Sequence, residues 1–248
     1  MKVTVLTWNI HKGIGGVDRK YRPERVIELI RYYKPDVCLL QEVDEGVRRS
    51  NYHRQVDFIG ENVGLRHRVF SVTHKLRGGN GHYGNAILSR WPLFDEHNID
   101  LTIGIRKKRG CIYARARVRF DSGKSRTLGL YNLHLGLAGS ERAKQLERFI
   151  SSHPFQGLHA RTPVVLGGDF NDVWGTLGKR FLEPVGFSRA GERVNTFPAR
   201  LPVRPLDGLW IRGEAGAERG FPSRHHLARE ASDHLPLIAE INLNPMKR

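Results

Sequence analysis

Residues 111–134 read CIYARARVRFDSGKSRTLGLYNLH, and they decide what kind of sheet the chain builds. Ile112, Ala114, Ala116, Val118 and Phe120 fall on one side of an alternating pattern, and Tyr113, Arg115, Arg117 and Arg119 on the other. That period of two is a strand with one face packed. DSGKS supplies turn chemistry before the next apolar run, so the two strands are expected to pair as an antiparallel hairpin. Upstream the logic changes. Residues 3–8 form an apolar run, a Gly-rich loop HKGIGGVDRKY follows, and Pro23 opens a helix with Val26, Ile27, Ile30 and Tyr33 at helical spacing. The turn KPD then leads to a second strand ending at Glu42. Hairpins together with strand–helix–strand units predict mixed sheets. Two of them packed together, with helices outside, would set strand ends along one edge.

Further elements extend this reading. A helix is expected over residues 55–63, with strands over 66–73 and 84–89. Ser140 is expected to cap a helix that buries Ala143, Leu146 and Ile150, and strands follow over 163–166, 206–211 and 235–241. No repeat, low-complexity tract or Ser/Gly linker divides the chain, so residues 1–248 are read as one domain.

Composition narrows the class of partner. The chain carries 41 Lys+Arg against 25 Asp+Glu, a formal charge of +16. Such a surplus favours a polyanion, nucleic acid first and an anionic membrane surface second, although a basic chain can also be merely well solvated. The two cysteines exclude a disulfide framework, and Cys38 and Cys111 both lie in apolar stretches that suit inert core residues. The apolar run after Met1 is too short for a signal-peptide core, and no run approaches a membrane span. A cytoplasmic monomer is the expectation.

Six apolar runs each carry a polar residue at or beside one end: VTVLTWN (Asn9), DVCLLQE (Glu42), TLGLYNLH (His134), PVVLGGDFN (Asp169, Asn171), PLDGLW (Asp207) and ASDHLP (Asp233, His234). An α/β scaffold gathers distant side chains into one cleft by this device. Oxygen donors of this kind suit Mg²⁺ or Mn²⁺ better than zinc, and the imidazoles suit proton transfer or charge stabilisation. HExxH, paired CxxC and Walker A sequences are absent. In GGDFND the glycines would let the chain turn sharply, so that Asp169 and Asn171 project together, yet Gly-Asp-x-Asn is also ordinary turn chemistry. The SDH tripeptide would equally suit a solvated turn. A lone histidine such as His134 is most commonly a satisfied core residue. Asp207 is flanked by apolar residues and needs a partner if buried, which pairs it with His234.

Taken in order, TWN, LLQE, NLH, GGDFN, LDGLW and SDH resemble the endonuclease/exonuclease/phosphatase superfamily from residue 3 to about 241. The resemblance implies a deoxyribonuclease-like four-layer α/β/β/α sandwich and Mg²⁺- or Mn²⁺-dependent phosphoester hydrolysis. It implies that Glu42 is the principal metal ligand with Asn9 and Asp233 near it, and that Asp169 activates or orients water. Asn171 and His134 would contact the phosphate, and His234, held by Asp207, would stabilise the pentacovalent charge. His11 in WNIHKG and His134 are similar to the deoxyribonuclease, sphingomyelinase and 5-phosphatase branches and unlike the AP endonucleases. WNIHKG with GHYGNAILSR looks most like small bacterial members. DNA is the favoured substrate, because Arg106, Lys107, Lys108 and Arg109 form a basic loop, the arginines of 113–119 a stripe, and Lys75 and Arg77 flank another loop. Anionic lipid is the alternative, against which stands the lack of an amphipathic helix rich in exposed apolar residues.

Overall fold

A computed structural model describes residues 1–79 and 81–244, with the side chain of Arg77 outside the described atoms. In chain order the elements begin β1 (Lys2–Asn9), α1 (Pro23–Tyr33), β2 (Val37–Glu45), α2 (Gln55–Val63), β3 (His67–Lys75), β4 (His82–Ser89), β5 (Leu93–Asp100), β6 (Gly110–Arg119) and β7 (Ser125–His134). They continue with α3 (Gly139–Ile150), α4 (His153–Gln156), β8 (Val164–Asp169), β9 (Ser188–Arg189), β10 (Asp207–Arg212), β11 (Ala215–Pro222), α5 (Ala228–Ala231) and β12 (Leu237–Leu243).

The strands form two six-stranded sheets, ordered β11-β12-β1-β2-β4-β3 and β5-β6-β7-β8-β10-β9. Each contains one parallel pair, β1 with β2 and β7 with β8, and the other neighbours are antiparallel. The hairpin of residues 111–134 is β6 and β7, in unbroken register from Gly110 opposite His134 to Arg119 opposite Ser125. Its apolar side, Ile112 through Val118, packs between the sheets with Val5, Leu39, Ile87, Leu130, Val165, Leu209 and Ile241. Truncating one of the Leu or Ile residues to alanine would cost about 2–5 kcal/mol, through lost transfer energy and the cavity left behind.

The outer faces are covered separately. Val26, Leu29 and Ile30 of α1 and Val56 and Ile59 of α2 lie on Leu6, Trp8, Cys38 and Leu40 of the first sheet. Leu146 and Phe149 of α3 and Phe155 of α4 lie on Tyr113, Tyr131, Leu133 and Leu166 of the second. Helix, sheet, sheet, helix is the expected four-layer order. Both cysteines are buried and burial pushes their thiols upward. No helix among the described residues is long and apolar enough to cross a membrane.

Several expectations are corrected. Ser140 does not cap α3; the N-cap is Ala138, without a side-chain hydrogen bond, and Gln145 faces inward to accept from the Gly136 amide at 2.7 Å. The arginine side of β6 is not a continuous stripe. Tyr113 is buried beneath α3, Arg115 pairs with Asp95 at 2.9 Å, and Arg119 lies at the end of the strand remote from His134. β5 and β11 were not expected. Both are edge strands with polar, exposed residues, so they lack the two-sided apolar signal of a central strand.

A polar pin crosses the central core. Gln41 Nε2 donates to Asn132 Oδ1 at 2.7 Å, and Asn132 Nδ2 donates to the carbonyls of Leu40 and Ala86 at 2.8 Å each. Both amides are fully buried. They tie β2 to β7 close to Glu42 and His134.

Candidate active site

One edge of the sandwich collects every polar residue that the six runs delivered. The parallel strands β1, β2, β7 and β8 bring their C-terminal ends there, whereas β10 and β12 run antiparallel to β8 and β1 and bring their beginnings. Asp207 therefore opens β10, opposite Asp169 in register, and Asp233 and His234 precede β12. Asn9, Glu42, His134, Asp169, Asn171, Asp233 and His234 line a cleft of about 360 Å³, and Asp207 lies behind His234.

Glu42 does not terminate its strand. β2 continues to Glu45, and its pairing with β4 slips between Leu40 and Val43. Glu42 sits in that bulge with φ 55°, a left-handed conformation that costs a non-glycine residue about 1–2 kcal/mol. The bulge turns the carboxylate out of the strand alternation into the cleft. Burial pushes its pKa up, but the Lys12 ammonium, by its charge and its hydrogen bond, outweighs this and holds it at about 2. Lys12 Nζ makes a direct ion pair with Glu42.

The glycines of GGD work differently from the expected turn, because both lie within β8. A Cβ on Gly167 would stand 2.6 Å from Leu39 of the facing sheet, and one on Gly168, at φ 151°, would stand 2.0 Å from the Leu133 carbonyl oxygen. They permit close approach between chain segments, and Asp169 follows at the strand end. The turn comes one step later, at Asn171 with φ 49°, whose amide donates to Asp169 Oδ1 at 2.9 Å.

Asp169 is the point of convergence. Asn9 Nδ2 donates to its Oδ2 at 3.1 Å, His134 Nε2 stands 3.4 Å from the same oxygen and His234 Nε2 3.8 Å. On its other side His234 Nδ1 lies 2.8 Å from Asp207 Oδ2, which also accepts from the Thr196 hydroxyl. Trp8 fixes the loop by donating from its indole to the His234 carbonyl at 2.8 Å.

The two imidazoles differ in charge. Burial lowers the pKa of His234, but Asp207 and Asp169 overcome it and raise it to about 10, so this ring is an imidazolium at neutral pH. Burial and the Arg109 guanidinium drive His134 well below its ordinary value, and this ring is neutral. Asp169 is raised to about 6, by burial foremost and by Asp207, against the pull of His234.

The cleft is cationic. Lys12, Lys107, Arg109 and Arg204 line it beside the carboxylates. Arg109 is 8% exposed, its Nε is without a hydrogen-bond partner, and no carboxylate pairs with it among the described residues. In the basic loop, Lys107 reaches the cleft, whereas Arg106 pairs with Glu141 at 3.5 Å. Lys12, Thr196 and Arg204 escape sequence reading, since none follows an apolar run. Lys12 adjoins the TWN motif, and that proximity was the available signal.

Two groupings have the composition of a cation site. Ligand atoms of Asp169, Asp207 and His234 lie within 4.8 Å of one another. There His234 Nδ1 is already hydrogen-bonded to Asp207, its Nε2 stands 3.8 Å from Asp169, and Asp207 Oδ1 is buried without a hydrogen-bond partner. Glu42, the Asn9 amide and Asp233 offer oxygen atoms at the same cleft, and Glu42 already holds a positive charge in the form of the Lys12 ammonium. This oxygen set fits a hard divalent cation.

Comparison with known proteins agrees with this architecture. The Escherichia coli (strain K12) protein YbhP is 31% identical over 258 residues, covering 96% of each chain. An endonuclease/exonuclease/phosphatase structure from Beutenbergia cavernae superposes with a TM-score of 0.80 at 22% identity, covering 98% of this chain and 72% of that one. D. rerio TDP2 complexed with a single-strand DNA product gives a TM-score of 0.69 at 17% identity, covering 98% of this chain and 99% of that one. The Endonuclease/Exonuclease/phosphatase family, whose members are phosphoester hydrolases, matches residues 6–234, from the first central strand to the imidazolium, and the chain belongs to it.

Proposed function

We propose that the protein is a Mg²⁺- or Mn²⁺-dependent phosphodiesterase acting on nucleic acid, DNA foremost. The observation that carries this reading is a cleft in which three carboxylates face Lys12, Lys107, Arg109, Arg204 and a protonated His234. A phosphodiester is an anion whose hydrolysis needs a base on one side and charge stabilisation on the other. Glu42 would hold the cation with Asn9 and Asp233; when bound, a divalent ion stabilises charge on phosphoryl and leaving oxygens. Asp169, raised toward neutrality, accepts a proton from the attacking water. His234, kept protonated by Asp207, donates to the phosphoryl oxygen on which charge develops. Asn171 and neutral His134 contact the phosphate without adding charge, and Arg109 and Lys107 receive the flanking anion.

A second reading, phosphodiester hydrolysis in an anionic lipid, has its own observation. Ile105, Leu137, Trp174 and Leu201 are all at least 72% exposed. They stand on the loops after β5, β7 and β8 and before β10, which border the cleft. These loops take the place of the missing amphipathic helix. One experiment separates the two: turnover with Mg²⁺ or Mn²⁺ of plasmid, single- and double-stranded oligonucleotides, RNA, and sphingomyelin or cardiolipin vesicles. Nucleic acid is expected to be turned over fastest, and a lipid turned over far faster would replace the nuclease reading while leaving the chemistry intact.

A further inference from the structure

Lys12 lines the cleft without a step of its own in that hydrolysis, and its position there is fixed by several contacts. Its backbone is held in the left-handed region, φ 63°, within the single turn His11–Gly13. Two contacts fix that turn. The His11 amide donates to Asn9 Oδ1 at 3.1 Å, and Gln55 Nε2 of α2 donates to the Lys12 carbonyl at 2.7 Å. From this anchored point the side chain crosses to Glu42, and both side chains are largely buried, at 16% and 14% exposure. A buried carboxylate without a counter-charge is strongly disfavoured, and the ammonium supplies one.

The ammonium also has a second neighbour. Its Nζ lies 5.6 Å from the centroid of the Tyr83 ring, on the strand that pairs with the Glu42 bulge. Lys107 Nζ lies 5.3 Å and Arg49 Cζ 5.6 Å from the same centroid. An aromatic face attracts cations without fixing them at one point. Because Nζ is beside this ring while it pairs with Glu42, a small rotation of the side chain would keep the ammonium in the cleft when Glu42 is otherwise engaged.

We propose that Lys12 is a resident counter-cation of Glu42: it competes with the divalent ion for that carboxylate and, once displaced toward Tyr83, becomes a contact for the substrate phosphate. The inference rests on the reading of Glu42 as a metal ligand. An ammonium and a divalent cation on one carboxylate repel each other, so occupancy by one weakens the hold of the other. Metal binding would then also complete the anion site, coupling the two ligands.

Calorimetric titration of the full chain with Mn²⁺ at pH 8, without substrate, tests the first half. Lys12→Met is expected to bind Mn²⁺ at least about tenfold more tightly than wild type, and Lys12→Arg to restore the weaker wild-type affinity. Metal-free Lys12→Met should melt lower than wild type and recover more on adding Mn²⁺. Lys12→Gln, which keeps a donor to Glu42 without the charge, serves if the methionine variant does not fold. Unchanged or weaker Mn²⁺ affinity in the folded variant overturns competition. Glu42→Gln in the same titration guards the underlying reading, because Mn²⁺ affinity indifferent to Glu42→Gln removes the ligand assignment whatever Lys12 does. For the second half, inorganic phosphate should bind the Mn²⁺-saturated Lys12→Met protein at least about threefold more weakly than saturated wild type. Equal phosphate affinity would confine Lys12 to the counter-cation role.

Discussion

The two edges of the sandwich carry clefts of opposite character. At the edge remote from His134, a cleft of about 820 Å³ is lined by Arg126, Arg161, Glu214 and Asn242. Both arginines there pair with Glu214. The cleft at the Asp169 edge has less than half that volume, but Lys107, Arg109 and Arg204 line it with no carboxylate partner among the described residues. Size therefore does not distinguish the two, and unbalanced charge does. A cation already paired gains little from a new anion, while a desolvated and unpaired one gains a great deal.

The largest expected effect separates the edges directly. His234→Ala and Asp169→Asn should each lower kcat by at least about 10²-fold, through lost charge stabilisation or lost water activation. Arg126→Ala should leave kcat within about twofold while lowering Tm. Steady-state kinetics beside thermal melts would show this, and comparable kcat losses at both edges would erase the contrast.

Next in size is metal dependence. EDTA should abolish turnover, and Glu42→Gln should weaken Mn²⁺ binding with little change in circular dichroism. Full activity of Glu42→Gln at low metal would remove Glu42 from the ion site.

Within the active edge, Asp207→Asn should cost less than His234→Ala, and the double variant should resemble His234→Ala, since Asp207 acts through the ring it holds. Additive losses in that cycle would uncouple the pair.

The salt dependence of DNA binding to the Asp169→Asn protein is a smaller effect and sharpens the charge argument. Lys107→Ala with Arg109→Ala should flatten the slope of log K against log salt, by about 0.9 for each phosphate no longer neutralised. Arg117→Ala with Arg119→Ala, on the far half of β6, should not change it.

A further expected signal is in stability against pH. The folded pKa of His234 lies above its ordinary value, so its contribution is complete below about 6.5 and disappears as pH rises toward about 10. Melting temperature should fall across that window in wild type and fall less in His234→Gln. Parallel profiles would mean that the ring is not held as an imidazolium.

The residues that line the Asp169 edge are largely legible in the sequence, and the exceptions have physical causes. Buried central strands advertise themselves as apolar runs, so Asn9, His134, Asp169 and Asp207 can be picked from the residues at their ends. Edge strands such as β5 and β11 carry no such signal. The bulge at Glu42 is invisible there, because a register slip against β4 is a property of the pair and not of DVCLLQE. The charge that matters is only half legible. Arg106 through Arg109 read as one basic loop, but Glu141 engages Arg106 while burial strips Arg109 of water, and both depend on neighbours distant in sequence. The pairing of Arg126 and Arg161 with Glu214, which silences the larger cleft, is hidden for the same reason.

The amide pin between Gln41 and Asn132 bears on how such a site is held. Glu42 belongs to one sheet and His134 to the other, and the pin lies one residue before the first and two before the second. Packed apolar faces can slide by fractions of an ångström at little cost, since dispersion has no preferred direction. A fully buried hydrogen bond has a direction and a length, and breaking it strands a polar group in the core. The two halves of the reaction centre are thus indexed to each other by directional contacts as well as by apolar packing, the amide pin inside the core and the Asn9–Asp169 hydrogen bond at its rim.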